Sequence, residues 1–167
     1  MLVGSSDSSK IVYNAVAQNF NVVRIIEDTP ISLNKFLKRR IKKLGLLTVV
    51  GQIFFMTYNK FLFRKSKKRI SAIMEEYKLS TENFPKEKFV KVSSINCKET
   101  IKILQEENPD LVIVNGTRII SKKVLSSINA LFINTHVGIT PEYRGVHGGY
   151  WALVNNDKEN CGVTVHV

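Results

Sequence analysis

The sequence predicts an α/β fold with a mostly parallel sheet, because short apolar strands alternate with helical segments along the chain. Residues 111–114 form a wholly apolar run, Leu-Val-Ile-Val, which is typical of a strand buried on both faces of a parallel sheet. Residues 22–26 and 131–135 are two further apolar runs. Helical patterns over 98–107 and 121–128 lie on either side of the central run. Strand, helix, strand is the order from which parallel sheets are built.

The remaining elements are predicted from local signals. Residues 1–4 read as a strand stub, and Ser8 or Ser9 can cap a helix that runs to Val16. The acidic residues before Pro30 predict the end of the 22–26 strand. Ser121 is expected to cap its helix. The other predicted elements are a helix over 31–78, strands over 89–92 and 162–167, and a helix over 148–154.

Composition favours one globular domain. The chain has 167 residues, of which 44% are apolar, and this length can bury a real core. Cys97 and Cys161 are far apart, with neither metal-ligand spacing nor a disulfide framework, so we expect no metal site and a reducing cytoplasm. The first residues carry no secretory-signal pattern.

The net charge of +11 belongs to one segment. Twelve Lys or Arg residues and no Asp or Glu lie between Lys35 and Arg69, within the predicted helical insertion over 31–78. Gly45 and Gly51 are expected weak points of its helices. The uncharged stretch 44–59 is too short and too polar for a comfortable membrane span.

Three interpretations of this segment stay open. The favoured one is a buried helix with solvated basic ends. Two helices joined near Gly51 or Asn59 could instead leave a positive rim beside the sheet while they bury Leu46, Leu47, Val50, Ile53, Phe54 and Phe61. The second is an interfacial helix at 35–69 that makes peripheral contact with an anionic membrane. The third is a positive surface for nucleic acid or a phosphorylated substrate.

The most informative motif combines an Asn and a His with a loop. Asn134 and His136 are two residues apart on a predicted strand, so their side chains project from the same face. The spacing alone favours two polar residues hydrogen-bonded to a neighbouring loop. The residues that follow the strand favour a catalytic role for the pair instead, because of their order and spacing. They are Gly138-Ile139-Thr140-Pro141, then Tyr143-Arg144-Gly145, then Trp151.

This arrangement resembles the formyltransferase family that uses 10-formyltetrahydrofolate, in which Asn-x-His is followed by Ser-Leu-Leu-Pro and an aromatic-Arg-Gly pattern. The resemblance is good over residues 108–167 and loose before them, and here Gly138 replaces the serine of the tetrapeptide and Thr140 replaces one leucine. It implies a Rossmann-like sheet and transfer of a formyl group to a primary amine. Asn134 and His136 would be catalytic, because an amide and an imidazole can stabilise an oxyanion and move a proton.

The resemblance also implies binding residues. The cosubstrate would contact the backbone of Arg118, Ile119 and Ile120, with Gly138, Ile139, Thr140 and Pro141 as further contacts. The acceptor would contact Gly4, Ser5 and Ser6 after the first strand, and Arg144 and His147. From the residues alone, each of these has an ordinary alternative: a strand-to-helix turn, a helix cap, or a solvated His in a Gly-rich loop. Trp151 is expected to lie in the core, and His166 is expected to be structural.

The family's third catalytic group is an Asp in the loop after the last strand. Asp157 precedes that strand and is expected at its opposite end, so we expect residues 1–167 to be a formyltransferase catalytic domain truncated at its C-terminus. The favoured acceptor is a nucleotide-linked amino sugar; methionyl-tRNA and glycinamide ribonucleotide are the alternatives. A non-catalytic folate- or nucleotide-binding fragment is the rival from another class.

Overall fold

The computed structural model describes residues 1–145 and 147–167. The chain is divided into two compact units. The sheet unit consists of Met1–Thr29 and Thr81–Val167, and the helical unit consists of Pro30–Ser80. The helical unit therefore interrupts the sheet unit in sequence, over nearly the range where the charge pattern predicts a basic helical insertion.

The sheet unit contains a six-stranded sheet in the order β3-β2-β1-β4-β5-β6. The first five strands are parallel, and β6 is antiparallel to β5. This mostly parallel, Rossmann-like α/β arrangement confirms the predicted fold class. The strands are β1 (Leu2–Val3), β2 (Ile25–Asp28), β3 (Phe89–Val92), β4 (Leu111–Asn115), β5 (Leu131–Val137) and β6 (Val163–His166).

Six α-helices accompany the strands in the described residues. The helical unit holds α2 (Leu33–Leu44) and α3 (Leu46–Glu76), and the sheet unit holds α1 (Asp7–Val16), α4 (Lys98–Glu107), α5 (Lys122–Leu125) and α6 (Gly148–Val154). A 3-10 turn at Lys158–Asn160 precedes β6. The predicted helices over 98–107 and 148–154 are confirmed with the same bounds.

Alternating residues of the strands build two cores, one on each face of the sheet. Leu2 and Ile26 belong to one cluster, and Val3 and Ile25 belong to the other. This follows from the two-residue period of a strand. Leu104 of α4 closes the first core, and Tyr13 of α1 closes the second.

Several predicted bounds are wrong, with clear physical reasons. β2 does not end before Glu27, since Glu27 Oε1 lies 2.8 Å from Lys91 Nζ on β3 and Asp28 pairs with Arg118. Paired charges are tolerated in a strand where lone ones are not. The N-cap of α1 is Ser6 instead of Ser8 or Ser9.

Other bounds differ more simply. The helix after Ser121 is only four residues long, although Ser121 caps it as predicted by accepting from the Val124 N–H. β5 runs two residues past the predicted end, to Val137, because β6 pairs with it there. Gly45, at φ +80°, separates α2 from α3, whereas Gly51 lies within α3.

The predicted burial of apolar residues in the helical unit is wrong. Val49 is the one buried residue of α3, and the others are exposed by 41–87%: Leu46, Leu47, Val50, Ile53, Phe54 and Phe61. The reason is geometric, since the 12-residue α2 can cover only one strip of the 31-residue α3. By length and composition alone, α3 is apolar enough to cross a membrane.

Candidate active site

The carboxyl ends of the parallel strands define one edge of the sheet, where ligands bind in open α/β sheets. In register, Val3 pairs with Asn115 and Val114 pairs with Asn134. The loops after β1 and β4 therefore begin level with Asn134, and His136 lies two residues further along β5. The sheet brings together the three segments from which the sequence predicts a site.

Asn134 and His136 share their face of the sheet with two residues of β6. His166 lies directly opposite Asn134, and Thr164 lies opposite His136. Asn134 Nδ2 is 3.3 Å from His166 Nε2. The sequence predicts a structural role for His166, but this residue contacts a predicted catalytic residue. The antiparallel register of β6, which the sequence does not show, creates this pair.

His136 has an unusual feature. Its Nδ1 is buried and has no hydrogen-bond partner among the described residues. Most buried polar atoms in proteins are paired. Because Nδ1 is buried, the ring can hold or move a proton on a bound molecule only through its other nitrogen, Nε2.

Asn115, which sequence reasoning did not select, organises this edge of the sheet. Its side chain is buried, its Oδ1 accepts from Ser9 Oγ at 3.0 Å, and its Nδ2 donates to Thr135 Oγ1 at 3.0 Å. Thr135 lies between Asn134 and His136 on the other face of β5. Asn115 thus ties α1 and β4 to β5, the strand of the predicted catalytic residues, and its signal in the sequence is a lone Asn at the end of an apolar run.

The loop after β1 is held too tightly for Gly4 to offer a free amide. Gly4 N–H donates to the Asn115 carbonyl at 2.9 Å, and a Cβ on Gly4 would lie 2.2 Å from the Gly116 carbonyl oxygen. Gly4 therefore serves the close approach of two loops. Ser5 and Ser6 are exposed, and the Ser6 hydroxyl makes no capping bond. Of this predicted anion site, the two serines are the part that a ligand can reach.

The side chain of Arg118 is directed back to β2. Its Nε donates to Asp28 Oδ2 at 2.7 Å and its Nη2 to the Thr29 carbonyl at 2.6 Å. Asp28 Oδ1 also accepts from the Ile95 N–H at 2.8 Å. The pair fixes the loop after β4 against the end of β2, which is a positioning role.

The backbone groups predicted to bind folate are partly in use. Arg118 N–H lies 3.4 Å from Asp28 Oδ2, and the Ile119 carbonyl accepts from Asn96 Nδ2 at 2.9 Å. Within the described residues, the N–H groups of Ile119 and Ile120 donate to no other part of the chain. The Ile119 side chain is 92% exposed. The loop thus presents two free amides and an apolar surface.

The loop after β5 is anchored by β6. Thr164 Oγ1 donates to the Gly138 carbonyl at 2.9 Å and accepts from Thr140 N–H at 3.1 Å, and Gly138 N–H donates to the Gly162 carbonyl at 2.7 Å. The Thr140–Pro141 peptide is cis. These backbone groups of the predicted cosubstrate loop hold its shape, so the side chains of Ile139 and Pro141 are what remains for contact with a ligand.

The end of that loop is held by Asp157. Its Oδ2 accepts from the Tyr143 hydroxyl at 3.0 Å. The Asn160 amide, and then that hydroxyl, hold the pKa of Asp157 below its ordinary value. Arg144 and His147 are exposed, and Val146 between them lies outside the described residues. Asp157 lies ahead of β6 in the chain. The predicted core position of Trp151 is wrong, since its side chain on the short α6 is 52% exposed.

Comparisons with known proteins identify the family of this chain. The family model described as "Formyl transferase" matches residues 21–167. Because the match covers most of the chain, this protein belongs to the formyl transferase family. The resemblance to formyltransferases that the sequence motif predicts is confirmed.

Particular relatives are similar over shorter stretches. The chain is 36% identical to a methionyl-tRNA formyltransferase of Finegoldia magna over 73 residues, 43% of this chain and 23% of that protein. It is 37% identical to the Thermotoga neapolitana methionyl-tRNA formyltransferase over 46% of this chain and 25% of that protein. The matched segment spans about a quarter of these relatives.

A solved structure shares the fold. The phosphoribosylglycinamide formyltransferase of Streptococcus pneumoniae TIGR4 superposes with a TM-score of 0.53 over 99% of this chain and 70% of that chain, at 18% identity. At this identity the similarity supports the fold and leaves the acceptor open.

Proposed function

We propose that this chain is the catalytic part of a formyltransferase that moves a formyl group from 10-formyltetrahydrofolate to a primary amine. The observation that carries the proposal is the position of Asn134 and His136 on one face of β5, near the carboxyl ends of the parallel strands. Family membership supports the class of reaction. The free Cys97 and Cys161 fit the reducing cytoplasm in which we propose that it acts.

The loop after β4 fits the folate. The unused N–H groups of Ile119 and Ile120 can donate to the edge of a pterin ring, and the exposed Ile119 side chain can cover its face. Ile139 and Pro141 would contribute from the loop after β5. When bound, 10-formyltetrahydrofolate supplies an electrophilic formyl carbon and a nitrogen leaving group.

Asn134 and His136 then act on the charges that develop. One N–H of the Asn134 amide can donate to His166 Nε2, which fixes the amide and leaves the second N–H for the negative oxygen of the formyl group. His136 can donate to the same oxygen or take the proton that the attacking amine loses. Each donor of this kind contributes about 10²–10³ in rate.

For the acceptor, the sequence expectation is a nucleotide-linked amino sugar. The relatives give that expectation no support, and their names favour methionyl-tRNA as a second candidate. Both acceptors carry phosphate and a primary amine. The exposed Ser5 and Ser6 hydroxyls, with Arg144 and His147, are the groups we propose for contact with the acceptor.

The test is a transfer assay with labelled 10-formyltetrahydrofolate and three acceptors: initiator methionyl-tRNA, glycinamide ribonucleotide and a nucleotide-linked amino sugar. We expect one acceptor to be formylated, and Asn134→Ala to lower that rate by about 10²-fold. Asn129→Ala, an Asn ahead of the same strand and outside the site, is the matched control and should change little. Folate binding without transfer to any acceptor would instead identify a non-catalytic binding fragment.

A further inference from the structure

The first half of α3 presents apolar side chains on all sides, and the structure leaves most of them uncovered. Leu47 is 87% exposed and Phe54 is 74% exposed. A helix that is apolar all round is normally buried in a core or in a membrane. The large apolar residues exposed between positions 46 and 63 are Leu46, Leu47, Val50, Ile53, Phe54, Phe55, Met56, Tyr58, Phe61, Leu62 and Phe63.

Charge narrows the identity of the partner. Twelve Lys or Arg residues and no acidic ones lie between Lys35 and Arg69, and the rest of the chain has one more acidic than basic residue. A second copy of this surface would be repelled, and the remainder of the chain offers little negative charge to attract it. The partner must therefore be both anionic and apolar.

A nucleic acid meets only the first of these conditions. Phosphate attracts Lys and Arg, and bases can stack on aromatic rings. Exposed Leu47, Val50, Ile53 and Met56 have no counterpart in such a complex. A bilayer with anionic headgroups meets both conditions, because it offers surface charge above an apolar layer.

The topology of the chain excludes a membrane crossing. β2 ends at Asp28 before the helical unit, and β3 begins at Phe89 after it. These strands are hydrogen-bonded neighbours in one sheet. A single crossing by α3 would place them on opposite sides of the bilayer. The continuous 31-residue α3 also cannot enter and return.

We propose that the helical unit is a membrane-interface anchor that lies in the plane of an anionic bilayer surface. The uncharged residues 46–59 at the start of α3 extend about 21 Å along the helix, and they sit among the upper acyl chains. The basic clusters before and after them contact the headgroups. Long basic side chains can cover apolar surface while their charge stays in water, as Lys65 Nζ does 4.9 Å from the Phe61 ring centroid.

The test is co-flotation of the full 167-residue chain with vesicles. We expect it to float with vesicles containing about one-third phosphatidylglycerol in phosphatidylcholine, and to stay behind with pure phosphatidylcholine. Partitioning should fall steeply as salt screens the surface charge. No flotation with the anionic vesicles, or equal flotation with both, overturns the proposal.

Two matched variant pairs locate the anchor. Leu47→Ser/Phe54→Ser should lower partitioning at least tenfold, whereas Phe20→Ser/Leu125→Ser, exposed residues of the same types in the sheet unit, should not. Replacing four basic residues of the helical unit by Gln should also lower partitioning at least tenfold; these are Lys38, Arg39, Lys42 and Lys43. The charge-matched control replaces Lys86, Lys102, Lys122 and Lys123 of the sheet unit by Gln and should lower partitioning less. Equal losses in test and control variants contradict the proposal.

Light scattering and circular dichroism give the remaining readouts. The wild-type chain should be monomeric without lipid and keep its helix content in every variant. A dimer that Leu47→Ser/Phe54→Ser dissociates would identify a second copy as the partner and overturn the membrane anchor. Because flotation requires no formyl transfer, its failure and that of the proposed reaction are distinguishable.

Discussion

The sheet unit and the helical unit contain similar apolar residues, but the sheet unit buries them and the helical unit leaves most of them exposed. In the sheet unit Leu2, Val3, Ile25 and Ile26 are at most 1% exposed, whereas in α3 Val49 alone is buried. The difference lies in what surrounds each element. A central strand has neighbours on both edges and helices on both faces, while within the helical unit α3 packs against the shorter α2. An apolar pattern shows that a residue can be buried, and a neighbouring element decides whether it is.

The contrast should be largest in catalysis. His136→Ala removes a group that we propose acts on the transition state, so we expect kcat of formyl transfer to fall about 10²–10³-fold while folate affinity stays nearly constant. In the helical unit, replacing the four residues Lys38, Arg39, Lys42 and Lys43 by Gln should leave kcat within about twofold of the wild-type value in lipid-free solution. Steady-state kinetics measures kcat, and calorimetry measures the folate affinity. A His136→Ala variant that retained more than about a tenth of wild-type kcat would contradict the catalytic role.

The same substitution in two helices should give very different stabilities. Leu104→Ala in α4 empties part of a core and should lower the free energy of unfolding by about 2–5 kcal/mol. Leu47→Ala in α3 removes an exposed side chain and should change it by less than about 0.5 kcal/mol. Urea unfolding followed by circular dichroism and by Trp151, the single tryptophan, provides the comparison. Equal shifts in the two variants would mean that Leu47 is covered.

The ion pair that fixes the loop after β4 gives an intermediate effect. Arg118→Ala leaves the Asp28 carboxylate, 7% exposed, without its cationic partner, and should cost about 2 kcal/mol. Lys102→Ala breaks an exposed pair with Glu106 and should cost less than about 0.5 kcal/mol. Thermal unfolding of the two variants tests this, and similar losses would show that water screens the Asp28 pair as well.

The smallest effect concerns the pH dependence at Asp157. A carboxyl whose pKa is lowered on folding stabilises the protein above its ordinary pKa, and this contribution is lost as the pH falls through the lower folded value. Asn160→Ala and Tyr143→Phe should each raise the pKa of Asp157 towards its ordinary value, Asn160→Ala by more. Carboxyl NMR titrations measure the shift. An unchanged pKa in both variants would exclude these contacts as the cause.

The sequence determined the elements with strong local signals. The apolar run of β4, the Ser121 cap and the end of α4 before Pro109 depend on neighbours within a few residues, so their patterns suffice. The Asn134 and His136 pair was likewise visible, because a two-residue spacing on a strand fixes a common face whatever surrounds it. The loop motif beside them was enough to predict the family.

Only the tertiary structure decided which residues meet across the chain. Asp28 stays in β2 because Arg118, 90 residues later, pairs with it. His166 reaches Asn134 only because β6 turns antiparallel to β5. The exposure of α3 was decided in the same way, by the short reach of α2. Burial and pairing depend on distant partners, whose positions the local pattern of a sequence does not encode.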